Sequence, residues 1–186
     1  LVEWKNSKKR KPLILKGARQ VGKTWLLKEF ARNEFEDHLY LNFEEEPQLK
    51  SFFDGSLDPK QLISKLQTHT GQKIRADKTL IIFDEVQEAP NALNSLKYFC
   101  EKAPQHPIIA AGSLLGIKLK SQKSFPVGKV NFLALYPLNF FEFLQALGKA
   151  SLYDLIRTTK KAIPLEEAFH EQLKELLRTY LCLGGM

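Results

Sequence analysis

The chain has 186 residues, 44% of them hydrophobic, and 28 Lys and Arg against 21 Asp and Glu give a net charge of +7. That size suits one globular α/β core with a small appendage, and no run is long and apolar enough to cross a bilayer. Two distant cysteines, Cys100 and Cys182, lack C-x-x-C spacing, so neither a zinc site nor a disulfide framework is suggested, and a reducing cytoplasm is expected.

Before the first strand, Lys5, Lys8, Lys9, Arg10 and Lys11 supply five of the charges and leave +2 (7 − 5) for the rest of the chain. A run like this reads as a solvated face, with anion capture or a nucleic-acid contact as the alternatives. Trp4 reads as a buried or partner-facing residue, with stacking on a base as its alternative. Residues 12–16 form an apolar run of strand character, and residues 25–31 have helical spacing. Between them stands Gly17-Ala18-Arg19-Gln20-Val21-Gly22-Lys23-Thr24, a G-x-x-x-x-G-K-T loop placed between a strand end and a helix start.

Residues 38–43 alternate and predict a second strand, closed by Glu44, Glu45 and Glu46 as a polar strand end. Short helices are expected over 47–53 and 59–70, split by Asp54-Gly55-Ser56. Thr79-Leu80-Ile81-Ile82-Phe83 runs apolar without alternation, as in a strand covered on both faces, and ends in Asp84-Glu85. A helix over 89–102, a strand over 107–113 and a fifth strand over 130–135 follow. Asn139 is a good helix cap and Gly148 a good stop. The remainder reads as helical. Pro164 opens a helix with Glu166 and Glu167 in its first turn, an apolar packing stripe follows, and Gly184-Gly185 ends it. His38, His69, His106 and His170 show no metal-ligand spacing and read as structural or surface residues.

The predicted fold is α/β: a parallel five-stranded P-loop NTPase sheet with helices on both faces, then a short helical segment. Residues 1–148 are expected to form the core and 149–186 a helical lid or linker. In such a loop the backbone amides of residues 17–24 and of Trp25, with the positive end of the following helix, face phosphate oxygens. Lys23 bridges the β- and γ-phosphates, and the Thr24 hydroxyl meets Mg²⁺. Asp84 is expected in the Mg²⁺ shell, and Glu85 as the base that polarises water. Ser113, after the next strand, is the candidate for a polar contact to the γ-phosphate or that water. A carboxylate beside the metal aspartate favours hydrolysis over phosphoryl transfer to a metabolite. The missing N-K-x-D and D-x-x-G patterns favour ATP over GTP.

Several segments resemble those of predicted prokaryotic AAA-type ATPases that carry a C-terminal domain of unknown function. They are the loop at 17–24, Ile-Phe-Asp-Glu-Val-Gln at 82–87, Ala-Gly-Ser-Leu-Leu at 111–115, Gly-Lys-Val at 128–130 and Leu-Tyr-Pro-Leu-Asn-Phe-Phe-Glu-Phe-Leu at 135–144. The resemblance implies an ATP- and Mg²⁺-dependent ATPase coupled to a conformational change, with ATP and ADP as ligands and homo-oligomers as a possible assembly. Residues 180–186 resemble the segment just before the family's C-terminal domain, which would be a partner absent from this chain. Lys129 stands where the family usually has arginine. Arg157 and Arg178 are sensor 2 candidates on composition only, and no arginine finger is assignable. Two other functions fit the motifs: a slowly hydrolysing nucleotide switch that controls the absent domain, and a nucleic-acid-stimulated ATPase that uses residues 5–11.

Overall fold

Each predicted apolar run is a strand in the computed structural model, which describes residues 1–113, 128–159 and 163–185. The strands are β1 (Leu13–Gly17), β2 (Asp37–Asn42), β3 (Thr79–Asp84), β4 (Ile108–Gly112) and β5 (Asn131–Leu135). All pair in parallel, in the order β2-β3-β4-β1-β5. The predicted α/β sheet is therefore present with five strands. Parallel neighbours need crossovers, and the intervening helices supply them: α2 (Lys23–Glu34), α3 (Pro59–Thr70) and α4 (Pro90–Lys102), with a short α1 (Val2–Asn6) ahead of β1.

Strand periodicity divides the core into two layers. Ile14, Ile81, Phe83, Ile108 and Ala110 face one side, where they pack with Leu62 and Leu66 of α3 and Leu93, Leu96 and Phe99 of α4. Their sequence neighbours Leu13, Leu15, Leu80, Ile82, Ile109 and Ala111 face the other, against Leu27, Phe30 and Ala31 of α2. Burial on both faces explains why β3 shows no polar alternation. An edge-to-face triangle of Phe43, Phe53 and Phe83 fills the first layer, with ring centroids 5.6–5.7 Å apart.

One predicted helix is of another kind, and one helix was not foreseen. Residues Pro47–Phe53, expected as a helix, form a 3₁₀-helix whose Leu49 and Phe53 are buried in the core. The helix α1 had no sequence signal because five residues are too few to show a period. Tertiary contacts hold it: the Trp4 indole N–H donates to the Lys11 carbonyl at 2.8 Å, and Lys5 pairs with Glu34 at 3.0 Å. Trp4 is thus a packed, hydrogen-bonded residue of the α2 face. The basic run is partly consumed within the fold as well. Arg10 meets Asp77 at 2.6 Å and Lys11 donates to the Gly128 carbonyl at 2.7 Å, while Lys8 and Lys9 are exposed.

The chain divides into two compact units, Leu1–Leu135 and Tyr136–Met186. In the second, α5 (Phe140–Ala146), α6 (Ala150–Thr158) and α7 (Glu167–Leu183) pack around Leu144, Leu152 and Leu173. Asn139 caps α5 as predicted, in a reciprocal capping box with Glu142. Glu166 is the residue before α7, so Pro164 lies outside that helix. Leu114, Leu115 and Met186 of the resembling segments lie outside the described residues.

Gly17 ends β1 where β5 passes close by. A Cβ there would sit 2.6 Å from the Leu135 carbonyl oxygen and 3.0 Å from a Val21 methyl. Gly17→Ala should therefore cost about 1–3 kcal/mol of stability through overpacking. A lowered urea midpoint with an unchanged slope is the expected observation.

Candidate functional site

Because every strand is parallel, the loops that follow β1, β2, β3 and β4 open along one edge of the sheet, the edge at which open α/β sheets hold ligands. The loop 17–24 turns there with Gln20 at φ 61° and Gly22 at φ 90°. Gly22 is the residue before α2, so the free amides of that helix's first turn face the same edge. A cavity of about 480 Å³ opens at this point, lined by Arg19, Gln20, Gly22, Lys23, Thr24, Trp25, Glu44 and Glu85. The glycine loop and one of the acidic pair, far apart in sequence, thus share one wall.

Lys23 is only 5% exposed, although it is a lysine. Its Nζ donates to the carbonyls of Gly17 at 3.1 Å and Ala18 at 2.6 Å. Burial holds its pKa below the ordinary 10.5, against the opposing pull of the Glu85 and Asp84 charges. Asp84 is buried directly behind the cavity. Its Oδ2 accepts hydrogen bonds from the Thr24 hydroxyl at 2.6 Å and the Tyr40 phenol at 2.9 Å. Its Oδ1 accepts from the Glu85 amide at 3.0 Å. The Thr24–Asp84 bond joins the first turn of α2 to the end of β3 even though β4 separates β3 from β1 in the sheet.

Glu85 has a left-handed backbone, φ 47° and ψ 42°, which is costly for a residue with a Cβ. The turn Val86–Glu88 that follows is 3₁₀ and brings the Gln87 amide NH₂ onto the Glu85 carboxylate. Val21 covers Gly17 rather than facing the cavity. Ser113 directly follows β4, between the ends of β1 and β3. Its Oγ is buried and hydrogen-bonds to no described residue, and it is not among the residues lining the cavity.

Tyr40, Asn42 and Glu44 were not marked as site residues by the sequence, and Gln87 stood out only as the last residue of the resembling segment at 82–87. Glu44 reads as an ordinary polar strand end, yet it lines the cavity because β2 ends at the same edge. Asn42 Oδ1 fixes the turn there by accepting from the amides of Glu44 at 3.0 Å and Glu45 at 3.2 Å. Position at the C-terminal end of a parallel strand was the signal available for Glu44. No local signal pointed to Tyr40. Lys129 lies before the start of β5, at the opposite end of the strand from Gly17, and pairs with Glu101 at 3.0 Å.

Burial, then the Asp84 charge and the bond to it, raise the Tyr40 phenol's pKa well above its ordinary 10.0. The folded chain therefore keeps a proton that the unfolded tyrosine gives up. This stabilising contribution is complete below pH 10 and is lost progressively as the pH rises above that value. Denaturation midpoints between about pH 9 and pH 11 should fall, and Tyr40→Phe should flatten that fall.

A family model described as an AAA domain matches residues 9–144. No curated protein matches the chain. Among solved structures, a chain from "Structure of Drosophila ORC bound to DNA" aligns at 17% identity and a TM-score of 0.55, covering 92% of this chain and 51% of that one. C. elegans PCH-2 aligns at 16% identity and a TM-score of 0.44, covering 88% and 46%. Cdc6p from Pyrobaculum aerophilum aligns at 16% identity and a TM-score of 0.43, covering 75% and 42%. The chain spans about half the length of these proteins or less, and at 17% identity the likeness to the first is one of fold.

Proposed function

The chain belongs to the AAA domain family, and from that premise we propose that it binds ATP with Mg²⁺ and hydrolyses it, coupling turnover to a conformational change. The observation that carries this reading is the shared wall. Lys23, Thr24 and Glu85 line one cavity, and Asp84 is bonded to Thr24 at 2.6 Å behind it.

The donor set fits both ligands. A buried ammonium, an arginine at 19 and the amides at the start of α2 suit a polyphosphate. The Thr24 hydroxyl and the Asp84 carboxylate are hard oxygen donors suited to Mg²⁺, with Tyr40 keeping the carboxylate oriented. Held by the Thr24 hydroxyl and the Asp84 carboxylate, Mg²⁺ would supply neutralisation of the charge that develops on the phosphates. The chain's own residues do the rest. Gly17, Ala18, Gln20, Val21 and Gly22 shape the amide cradle, Lys23 holds the terminal phosphates, and Trp25 borders the ligand. Glu85 takes the proton of the attacking water. Ser113 supplies a hydroxyl between the two motifs. The helices of 149–186 serve as lid or linker for the motion.

Phosphate release from ATP by the 186-residue chain, with Mg²⁺ and with chelator, tests the proposal. Mg²⁺-dependent multiple turnover supports it. ATP retained without turnover would favour the nucleotide switch, and no retention of ATP would refute both. The internal engagement of Lys5, Arg10 and Lys11 weakens the nucleic-acid-stimulated alternative, since those cations already have partners.

A further inference from the structure

We propose that Gln87 is the positioning residue for the Glu85 carboxylate, a role that rests on the hydrolytic reading of the same site. Three observations point to it. Gln87 is a polar side chain only 8% exposed. Its Nε2 donates to Glu85 Oε2. Its Oε1 is buried and hydrogen-bonds to no described residue. Leaving an amide oxygen buried and unmet costs free energy, so an apolar residue of similar size would suit this pocket better for stability alone. The side chain is there for what its NH₂ does.

The geometry also fixes the direction of the effect. An ionised carboxylate only accepts, so the amide must present its NH₂ to Glu85. Glu85 borders the cavity with Lys23, whereas Gln87 is not among the lining residues. Gln87 therefore grips one carboxylate oxygen of Glu85 from outside the cavity lining. It supports the base in its working place and does not withdraw it. The left-handed Glu85 backbone and the 3₁₀ turn Val86–Glu88 place the amide there. The turn is anchored in the core by Val86 and Ala89. A base held by a hydrogen bond from a buried side chain loses less orientational freedom in each turnover.

The test uses the 186-residue chain and measures Mg²⁺-dependent ATP hydrolysis, equilibrium ATP binding and thermal midpoint. The variants are Gln87→Leu, Gln87→Glu, Glu85→Gln and the double variant Gln87→Leu/Glu85→Gln. Gln87→Leu should lower kcat about 10- to 100-fold with KM and ATP affinity unchanged. Gln87→Glu keeps the shape but sets like charges together, and should lower kcat at least as far. In the Glu85→Gln background Gln87→Leu should have no further effect, because Gln87 acts only through the carboxylate. Unchanged or raised kcat in Gln87→Leu overturns the proposal. So does an equal loss of ATP affinity, or an additive loss in the double variant, since each marks a merely structural role. A wild-type chain that binds ATP and does not turn it over overturns the hydrolytic reading itself, and the proposal with it.

Discussion

Glu85→Gln should lower ATP turnover by about 10²- to 10⁴-fold, the range a positioned general base supplies, while ATP affinity stays within about twofold. The amide keeps the carboxylate's shape and removes its basicity. Glu85 does not share the buried hydrogen bonds of Asp84 apart from its own amide, so the substitution leaves the Thr24–Asp84–Tyr40 network in place. Binding and chemistry therefore separate. Paired measurements of nucleotide retention and phosphate release check this. A variant that turns over at the wild-type rate would move the base elsewhere. Glu44, the other carboxylate lining the cavity among the described residues, would be the next candidate.

Lys23→Ala should produce the converse result: ATP binding collapses and the fold survives. Loss of a buried charge partner costs about 2–5 kcal/mol, or roughly 30- to 4,000-fold in Kd. Stability should not follow. Burial already disfavours the Lys23 ammonium, as its lowered pKa records, so the folded chain gives up a charge it holds at a cost. The same shift predicts how binding depends on pH. Phosphate charges favour the ammonium, so ATP affinity should weaken as alkaline pH approaches 10.5, the ordinary lysine value. Calorimetric titration and a thermal melt of the variant check the first pair of outcomes. Retained ATP affinity would remove Lys23 from the site.

Much of this was legible in the sequence because it is local. Gly17 to Thr24 carries its own turn chemistry, and Leu80 to Phe83 announces a strand buried on both faces. Asn139 announces a cap. Other features had no local trace. A five-residue helix shows no period, so α1 went unread. Leu49 and Phe53 match a helix in spacing, and the segment is a 3₁₀-helix with both side chains buried. Glu44 belongs to an acidic run that sequence reasoning treats as solvated, and only the parallel edge brings it to the cavity.

The sequence by itself determined a parallel α/β chain with a glycine loop after one strand and a carboxylate pair after another, because apolar runs and glycine turns are properties of neighbouring residues. Only the tertiary structure decided that the two meet. The crossovers place β4 between β1 and β3, and α2 then reaches back so that Thr24 bonds Asp84 across 60 residues of chain. The same decision set Tyr40 on that carboxylate. Side-chain reach across a sheet depends on strand order and register, and neither is written in the spacing of any one segment.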